Sequence, residues 1–465
     1  MFASSVYEAR RLDLAQRLPG GVVLLPGQGE SPVNFAANCY PFRQDSTFLY
    51  YAGLGRPGLA VSMDLEAAET LLAAEESGPD EEIWNGPQPS PQEDALRVGI
   101  PATETWAQLA DRIREAQARG RSLHYLPPYR ADQVLTLARL TGQAPERVAA
   151  GASEALAAAV IAQRLIKEPR EVAAIEAALV LSAAAFQELL PAVAPGALET
   201  VLAARLEAAM RAAGGRPAFA TIMTGRGAIL HARPAERPLG AQDLLLADFG
   251  AEAPTGYASD ITRTLPVSGR FSPAQRDLYD IVRRAQAQAE ARLTPGAAFR
   301  EVHLAAAAVI VEGLMDMGLM AGPVDDAVAA GAHALFFPHG LGHPLGLDVH
   351  DLESLGEDRV GYDQEVTRSR QWGLAALRFG RRLQAGMVMT VEPGIYFHPA
   401  LAARWQAEAR AGDFIRYARL APFFGLGGIR IEDDFLVTAE GGRRLGPAIP
   451  REASSLEALL APGGT

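Results

Sequence analysis

Two residue types are almost missing from this 465-residue chain. Cys39 is the only cysteine and Lys167 the only lysine; arginine supplies every other one of the 43 cationic side chains. One cysteine excludes an internal disulfide and a multi-thiolate zinc site within one chain. It also predicts a reducing compartment. One lysine leaves a single candidate for Schiff-base chemistry, so a lysine-dependent mechanism is not expected. Positive charge is in deficit too. A net charge of −12 argues against a general nucleic-acid or membrane-surface binder, because phosphates demand a basic face. Unbroken apolar runs of membrane-spanning length are absent, and the opening MFASSVYEARRLDLAQ has no signal-like apolar core. The expectation is a cytoplasmic chain with neither membrane nor nucleic acid as partner.

What remains has the balance of a well-cored globular protein, with 49% hydrophobic and 21% charged residues. The length predicts two or three folding units. Over residues 1–150, short apolar runs such as GVVLLPG (21–27) and GLAVSM (58–63) read as buried strands, and 105–120 as an amphipathic helix. That mixture predicts an α/β domain. An alanine-rich linker helix is expected over 151–166, and a second, α+β domain over 167–465. Its first helix carries Pro169 near its start, where proline is tolerated. Another helix starts at Ser272-Pro273, with Gln275 in position for a capping box, and a third runs from the Pro295-Gly296 break to about Gly318. The runs 244–252, 387–397 and 427–438 read as strands, and 351–387 as a charged insertion.

Those strands carry acids. Asp248, Asp260, Glu392 and Glu432 each lie in or beside an apolar run, where a bare charge is costly. Clustered carboxylates take up protons unless a positive charge sits among them. Arginine could serve; divalent cations serve better. Asp248 and Asp260 fall on a predicted hairpin, across which they could meet. Four of the eight histidines stand in distinctive settings: His231 in GAILHARP, and His339, His343 and His350 in FFPHGLGHPLGLDVHD. The intervening glycines predict closely approached backbone. His124, His303, His333 and His398 receive a structural reading. One imidazole with four carboxylates makes a hard, oxygen-rich site suited to Mn²⁺ and tolerant of Co²⁺, Zn²⁺ or Fe²⁺. Two such ions would acidify a water held between them.

The segments RLIKEPREVAAIEAA, ADFGAEAPTGYASDITRTLP, HGLGHPLGLDVHD, TVEPGIY and GGIRIEDD, in this order, resemble the pita-bread (creatinase/aminopeptidase-like) metallopeptidases. Within them the resemblance is to the Xaa-Pro aminopeptidase and prolidase branch. VYEARRLDLAQRLPGGVVLLPGQ and YPFRQDSTFLYYAGL are similar to that branch's N-terminal domain.

The resemblance implies two metal ions held by Asp248, Asp260, His343, Glu392 and Glu432, with Asp260 and Glu432 bridging. It implies that His339 and His350 line the substrate pocket and stabilise the tetrahedral intermediate, that Glu392 shuttles a proton, and that His231 packs at the prolyl side. Arg430 supports a carboxylate, and Tyr257 and Tyr396 are weaker candidates. The implied substrates are peptides with proline second, and the implied assembly is a homodimer or homotetramer. Thr47 replaces an acid that some aminopeptidases use for the substrate amine, with Asp45 nearby; the gap between Asp248 and Asp260 is one residue longer than the common one. Three rivals stand beside the aminopeptidase reading: an Xaa-Pro dipeptidase, a non-catalytic peptide-binding module and a metal-free amidinohydrolase. The full ligand set argues against the last two.

Overall fold

In the computed structural model, which describes residues 1–461, Thr105 and Ser272 open helices by the same device. Each side chain accepts from the backbone N–H three residues on, and the glutamine there, Gln108 or Gln275, accepts from the cap's own N–H. Two donors that a helix leaves orphaned are thereby satisfied. The helices that follow are Trp106–Ala118 and Pro273–Glu290.

The chain divides into two compact units between Arg164 and Leu165, with Glu353–Gly356 grouped with the first. The stretch read as a linker contains the helix Glu154–Arg164, which lies within the first unit and buries Leu156 and Val160.

The first unit is built on a five-stranded mixed sheet in the order Ala102–Glu104, Glu69–Ala73, Ala60–Asp64, Val22–Pro26, Leu123–His124. The inner pairs are antiparallel, with Val22 opposite Asp64, and the outer pairs are parallel. Leu24, Ala60, Leu109, Ile113 and Leu137 share one apolar cluster between this sheet and its helices. Asp45 caps the helix Ser46–Ala52 through the Phe48 N–H, and Thr47 accepts from Arg164 at 2.9 Å.

In the second unit the helix Pro169–Leu189 buries Val172, Ile175, Leu179, Phe186 and Leu189. With its 3-10 extension to Ala192 it is, among the described residues, the one helix long and apolar enough to cross a membrane by length and composition. The expectation from unbroken apolar runs missed it, because scattered polar residues interrupt a segment that alanine keeps apolar on average. Half of that stretch is buried inside the protein, as befits a core helix.

Two strand runs of this unit break where Glu392 and Glu432 sit. Leu244–Phe249 is the central strand of a three-stranded antiparallel sheet, flanked by Ile222–Thr224 and Ile261–Pro266. The run 387–397 forms two strands, Val388–Val391 and Gly394–Tyr396, with Glu392-Pro393 between them. The run 427–438 likewise forms Gly428–Arg430 and Asp433–Val437, with Ile431-Glu432 between. Proline lacks the N–H a ladder needs, which accounts for the first break. The insertion is held by arginines: Arg368 donates to Glu357 at 2.7 Å and to Asp358 at 2.5 Å, and Arg378 also donates to Glu357.

Candidate metal centre

The hairpin brings two acids to one place. Asp248 lies opposite Thr262 in the ladder, and Asp260 precedes Thr262 by two residues. A strand's side chains alternate faces, so Asp260, Thr262 and Thr264 share one. The break at Glu432 meets the same hairpin: Glu432 N–H donates to the Thr262 carbonyl at 3.1 Å, and the Thr262 hydroxyl donates to Glu432 Oε2 at 2.7 Å. On the other side of this strand pair, Arg263 is fully buried and donates to Asp433 Oδ1 and to the carbonyls of Thr262, Glu432, Ile449 and Pro450. It clamps the break between strands that carries Glu432.

The histidine loop runs along the strand Val388–Val391. Thr390 N–H donates to the His343 carbonyl, His343 N–H to the Thr390 hydroxyl, and Glu392 N–H to the Leu341 carbonyl. A Cβ on Gly342 would lie 2.0 Å from the Thr390 carbonyl oxygen, so only glycine permits this approach.

These contacts converge on one cluster. Ligand atoms of Asp260, His343 and Glu432 all lie within 4.8 Å of one another. His343 Nε2 is 3.4 Å from Asp260 Oδ2 and 3.9 Å from Glu392 Oε1. Asp248 joins through Arg430, whose Nη2 donates to Asp248 Oδ2 at 2.6 Å and whose Nε donates to Thr262 Oγ1 at 3.2 Å. The four acids and one imidazole expected as ligands are thus gathered in one buried region.

The chemistry of the cluster fits divalent ions. Asp248 Oδ1, Asp260 Oδ1 and Glu432 Oε1 are buried with no hydrogen-bond partner among the described residues, a costly state for carboxylate oxygens. Burial, then the charges of Asp248, Asp434 and Glu392, push Asp260 well above the usual carboxylate range; burial and the charges of Asp260, Glu392 and Asp248 do the same to Glu432. A cation removes both penalties. His343 Nδ1 lies 3.1 Å from the Pro344 carbonyl. A carbonyl only accepts, so Nδ1 carries the proton and Nε2 presents its lone pair toward Asp260.

The remaining histidines divide. His339 Nδ1 donates to the Gly340 carbonyl at 2.8 Å, which leaves Nε2 to accept from the Tyr396 hydroxyl at 2.8 Å. Burial holds this imidazole neutral, its pKa pushed down to about 3. Arg430 Nη1 donates to the same Tyr396 oxygen, so a chain of bonds runs from Asp248 through Arg430 and Tyr396 to His339. The half-buried His350 ring lies 4.3 Å from that of His343. His231 is exposed in a turn, within electrostatic reach of His339 and His350. Tyr257 donates to Glu171 at 2.8 Å. Of the other histidines, His398 caps the helix Pro399–Ala407 and His124 bonds Ser153 and the Gly20 carbonyl.

Comparison with known sequences adds the frame. The sequence profile of Metallopeptidase family M24 matches residues 173–439. The chain belongs to this family. The profile of the aminopeptidase P N-terminal domain matches residues 7–124, so the M24 unit follows the mixed α/β domain expected of that branch. A probable Xaa-Pro aminopeptidase of Metarhizium robertsii is 31% identical over 464 residues, covering 94% of this chain and 89% of its own length. The Xaa-Pro aminopeptidase of Escherichia coli is 29% identical over 469 residues, covering 98% and 97%. Structures of Escherichia coli aminopeptidase P, one Zn-substituted with product and one a variant with substrate, superpose with a TM-score of 0.81 at 28% identity, covering 99% of this chain and 98% of theirs.

The sequence reading passed over several residues of this M24 site. Thr262 was legible as the next residue on the Asp260 face of a strand. Asp434, fully buried, accepts from the Asp260 N–H at 3.0 Å; in an IEDD run no local pattern sets it apart from its acidic neighbours. Arg263 and the Lys167–Asp351 pair left no local signal.

Proposed function

We propose that this M24 chain is an Xaa-Pro aminopeptidase, a metal-dependent exopeptidase that releases the residue preceding a proline at a peptide's N-terminus. The observation that carries the reading is that Asp248 Oδ1, Asp260 Oδ1 and Glu432 Oε1 are buried with no partner among the described residues while ligand atoms of Asp260, His343 and Glu432 lie within 4.8 Å of one another, within a chain similar end to end to Xaa-Pro aminopeptidases.

Asp248, Asp260, His343, Glu392 and Glu432 would hold two divalent ions, with Mn²⁺ favoured by the hard donor set. When bound, such ions supply Lewis acidity toward water and the scissile carbonyl. The chain's own groups do the rest. The cluster of acids attracts the protonated N-terminus of a peptide. Glu392, with one oxygen 3.8 Å from His339 Nδ1 and the other 3.9 Å from His343 Nε2, carries the proton toward the proline nitrogen. Both ring nitrogens of His339 are engaged, so its part is to orient the pocket through Tyr396. His350, neutral because burial depresses its pKa, supplies a donor to the developing oxyanion. A cytoplasmic homo-oligomer is the setting proposed with this reading.

The test is steady-state hydrolysis of an Xaa-Pro-Xaa tripeptide against an Xaa-Pro dipeptide, with Mn²⁺ and with chelator. Mn²⁺-dependent release of the first residue from the tripeptide is expected. Turnover of the dipeptide alone would replace the aminopeptidase reading with a dipeptidase, and no turnover of either would remove both.

A further inference from the structure

The chain uses arginine for every cation but one, and the exception is buried. Lys167 and Asp351 are each 1% exposed in their side chains, and Lys167 Nζ donates to Asp351 Oδ2 at 2.8 Å. A buried ion pair is weak evidence for stability, because apolar replacements of similar volume often do as well. Its retention calls for a geometric reason. Ammonium is a compact point charge where guanidinium is a broad planar fork, so a site that breaks the chain's habit is one where size and direction matter.

The pair's position supplies the reason. Asp351 directly follows His350 and closes the loop that begins at His343. Its N–H donates to the Pro344 carbonyl at 2.9 Å, and its Oδ1 accepts from the Asp348 N–H at 3.3 Å. A Cβ on Gly346 would lie 2.5 Å from Asp351 Oδ2, so the loop is wrapped directly on the carboxylate that Lys167 holds. The backbone of Lys167 reaches a second part of the site: its N–H donates to the Gly386 carbonyl at 2.8 Å, at the entry to the strand that leads to Glu392. One helical turn on, Glu171 accepts from Tyr257, and the neighbouring Ala258 N–H donates to the Gly346 carbonyl at 2.9 Å. The segments bearing Asp260, His343 and Glu392 are all tied to residues 167–171.

We propose that Lys167 is a positioning residue for the metal centre: by gripping Asp351 it holds the 343–351 loop so that His343 faces Asp260 and Glu432. The proposal rests on the metallopeptidase reading. By reciprocity, a loop that must be held for metal to bind is held more firmly once metal has bound.

The single lysine makes this measurable in the unaltered protein. An amine acylating reagent has two kinds of target, the α-amine of the chain terminus and Lys167. Acylation is followed by mass spectrometry with and without saturating Mn²⁺, and Mn²⁺ binding is measured on the same preparation. Lys167 should react at least tenfold more slowly with Mn²⁺ bound, while the terminal amine reacts unchanged. Mn²⁺ binding with an unchanged Lys167 rate would overturn the proposal alone; no Mn²⁺ binding would overturn the metal reading and the proposal with it. A charge-neutral double variant, K167M/D351N, gives an independent arm. Melting as a folded protein, it should bind Mn²⁺ at least tenfold more weakly and lose more in kcat than in KM. Parental Mn²⁺ affinity would overturn the proposal. The acylation arm needs no variant and decides even where the double variant does not fold.

Discussion

The hydroxyl of Thr262 donates to Oε2 of Glu432 at 2.7 Å, while Oε1 of the same carboxylate is buried with no partner among the described residues. One oxygen is fixed by the protein and the other is presented. Thr262→Val keeps the shape and removes the donor. Groups that orient metal ligands are worth between about ten- and a hundredfold in affinity or activity, and a loss in that range is expected in an Mn²⁺ titration and in kcat/KM. An unchanged titration would show that Glu432 needs no such hold.

Removing one charge from the acid cluster should separate stability from activity. Without metal, Asp260 and Glu432 repel in a buried site. Glu432→Gln relieves that repulsion, so in chelator the variant should melt above the parent, whereas Mn²⁺ should raise the parent's melting temperature far more. Hydrolysis by the variant should fall on the order of a thousandfold. Differential scanning calorimetry with and without Mn²⁺ checks the first pair of outcomes and an initial-rate assay the last.

Tyr396→Phe deletes the donor to His339 Nε2 and the acceptor for Arg430 Nη1. A buried donor left unsatisfied costs about 1–3 kcal/mol. We expect kcat/KM to fall roughly tenfold to a hundredfold, with a smaller fall in Mn²⁺ affinity because Arg430 still holds Asp248. Equal losses in both would mean that the bond chain acts on the metal rather than on the pocket.

His303 and His333, buried away from the acid cluster's ligands, add to the acid sensitivity. Both are fully buried, and none of their four ring nitrogens has a partner among the described residues. Desolvation lowers His333 from 6.5 to about 4, and desolvation with the neighbouring His333 and His339 lowers His303 well below 6.5. The unfolded chain therefore binds protons that the folded one refuses. Their contribution to stability is full above about pH 6.5 and is lost as pH falls below it, for His333 through about pH 4. Each histidine costs at most about 1.4 kcal/mol per pH unit within that window. The melting temperature of a His303→Leu/His333→Leu variant should drop less than the parent's between about pH 7.5 and pH 5. Parallel curves would assign the acid loss to other groups.

The sequence showed the parts of this site that are local and hid those that are not. The Ser272 cap, the hairpin that joins Asp248 to Asp260, and the close backbone approach at Gly342 each follow from residues within a few positions of one another. The breaks at Glu392-Pro393 and Ile431-Glu432 were read through as continuous strand, because apolar alternation records which face is buried and not where a ladder ends. Lys167 and Asp351 lie 184 residues apart. Neither has a neighbour that announces the other, and only the folded chain pairs them. His303 and His333 read as ordinary structural histidines; that their ring nitrogens have no partner among the described residues is a fact of packing.

Lysine-specific endoproteases cut after a residue that this chain possesses once, and the fold conceals it in an ion pair three residues beyond the point where its two compact units divide. Digestion of the native protein should therefore stall. Each local opening at that point should release two pieces that match the units almost residue for residue, without any engineered cleavage site.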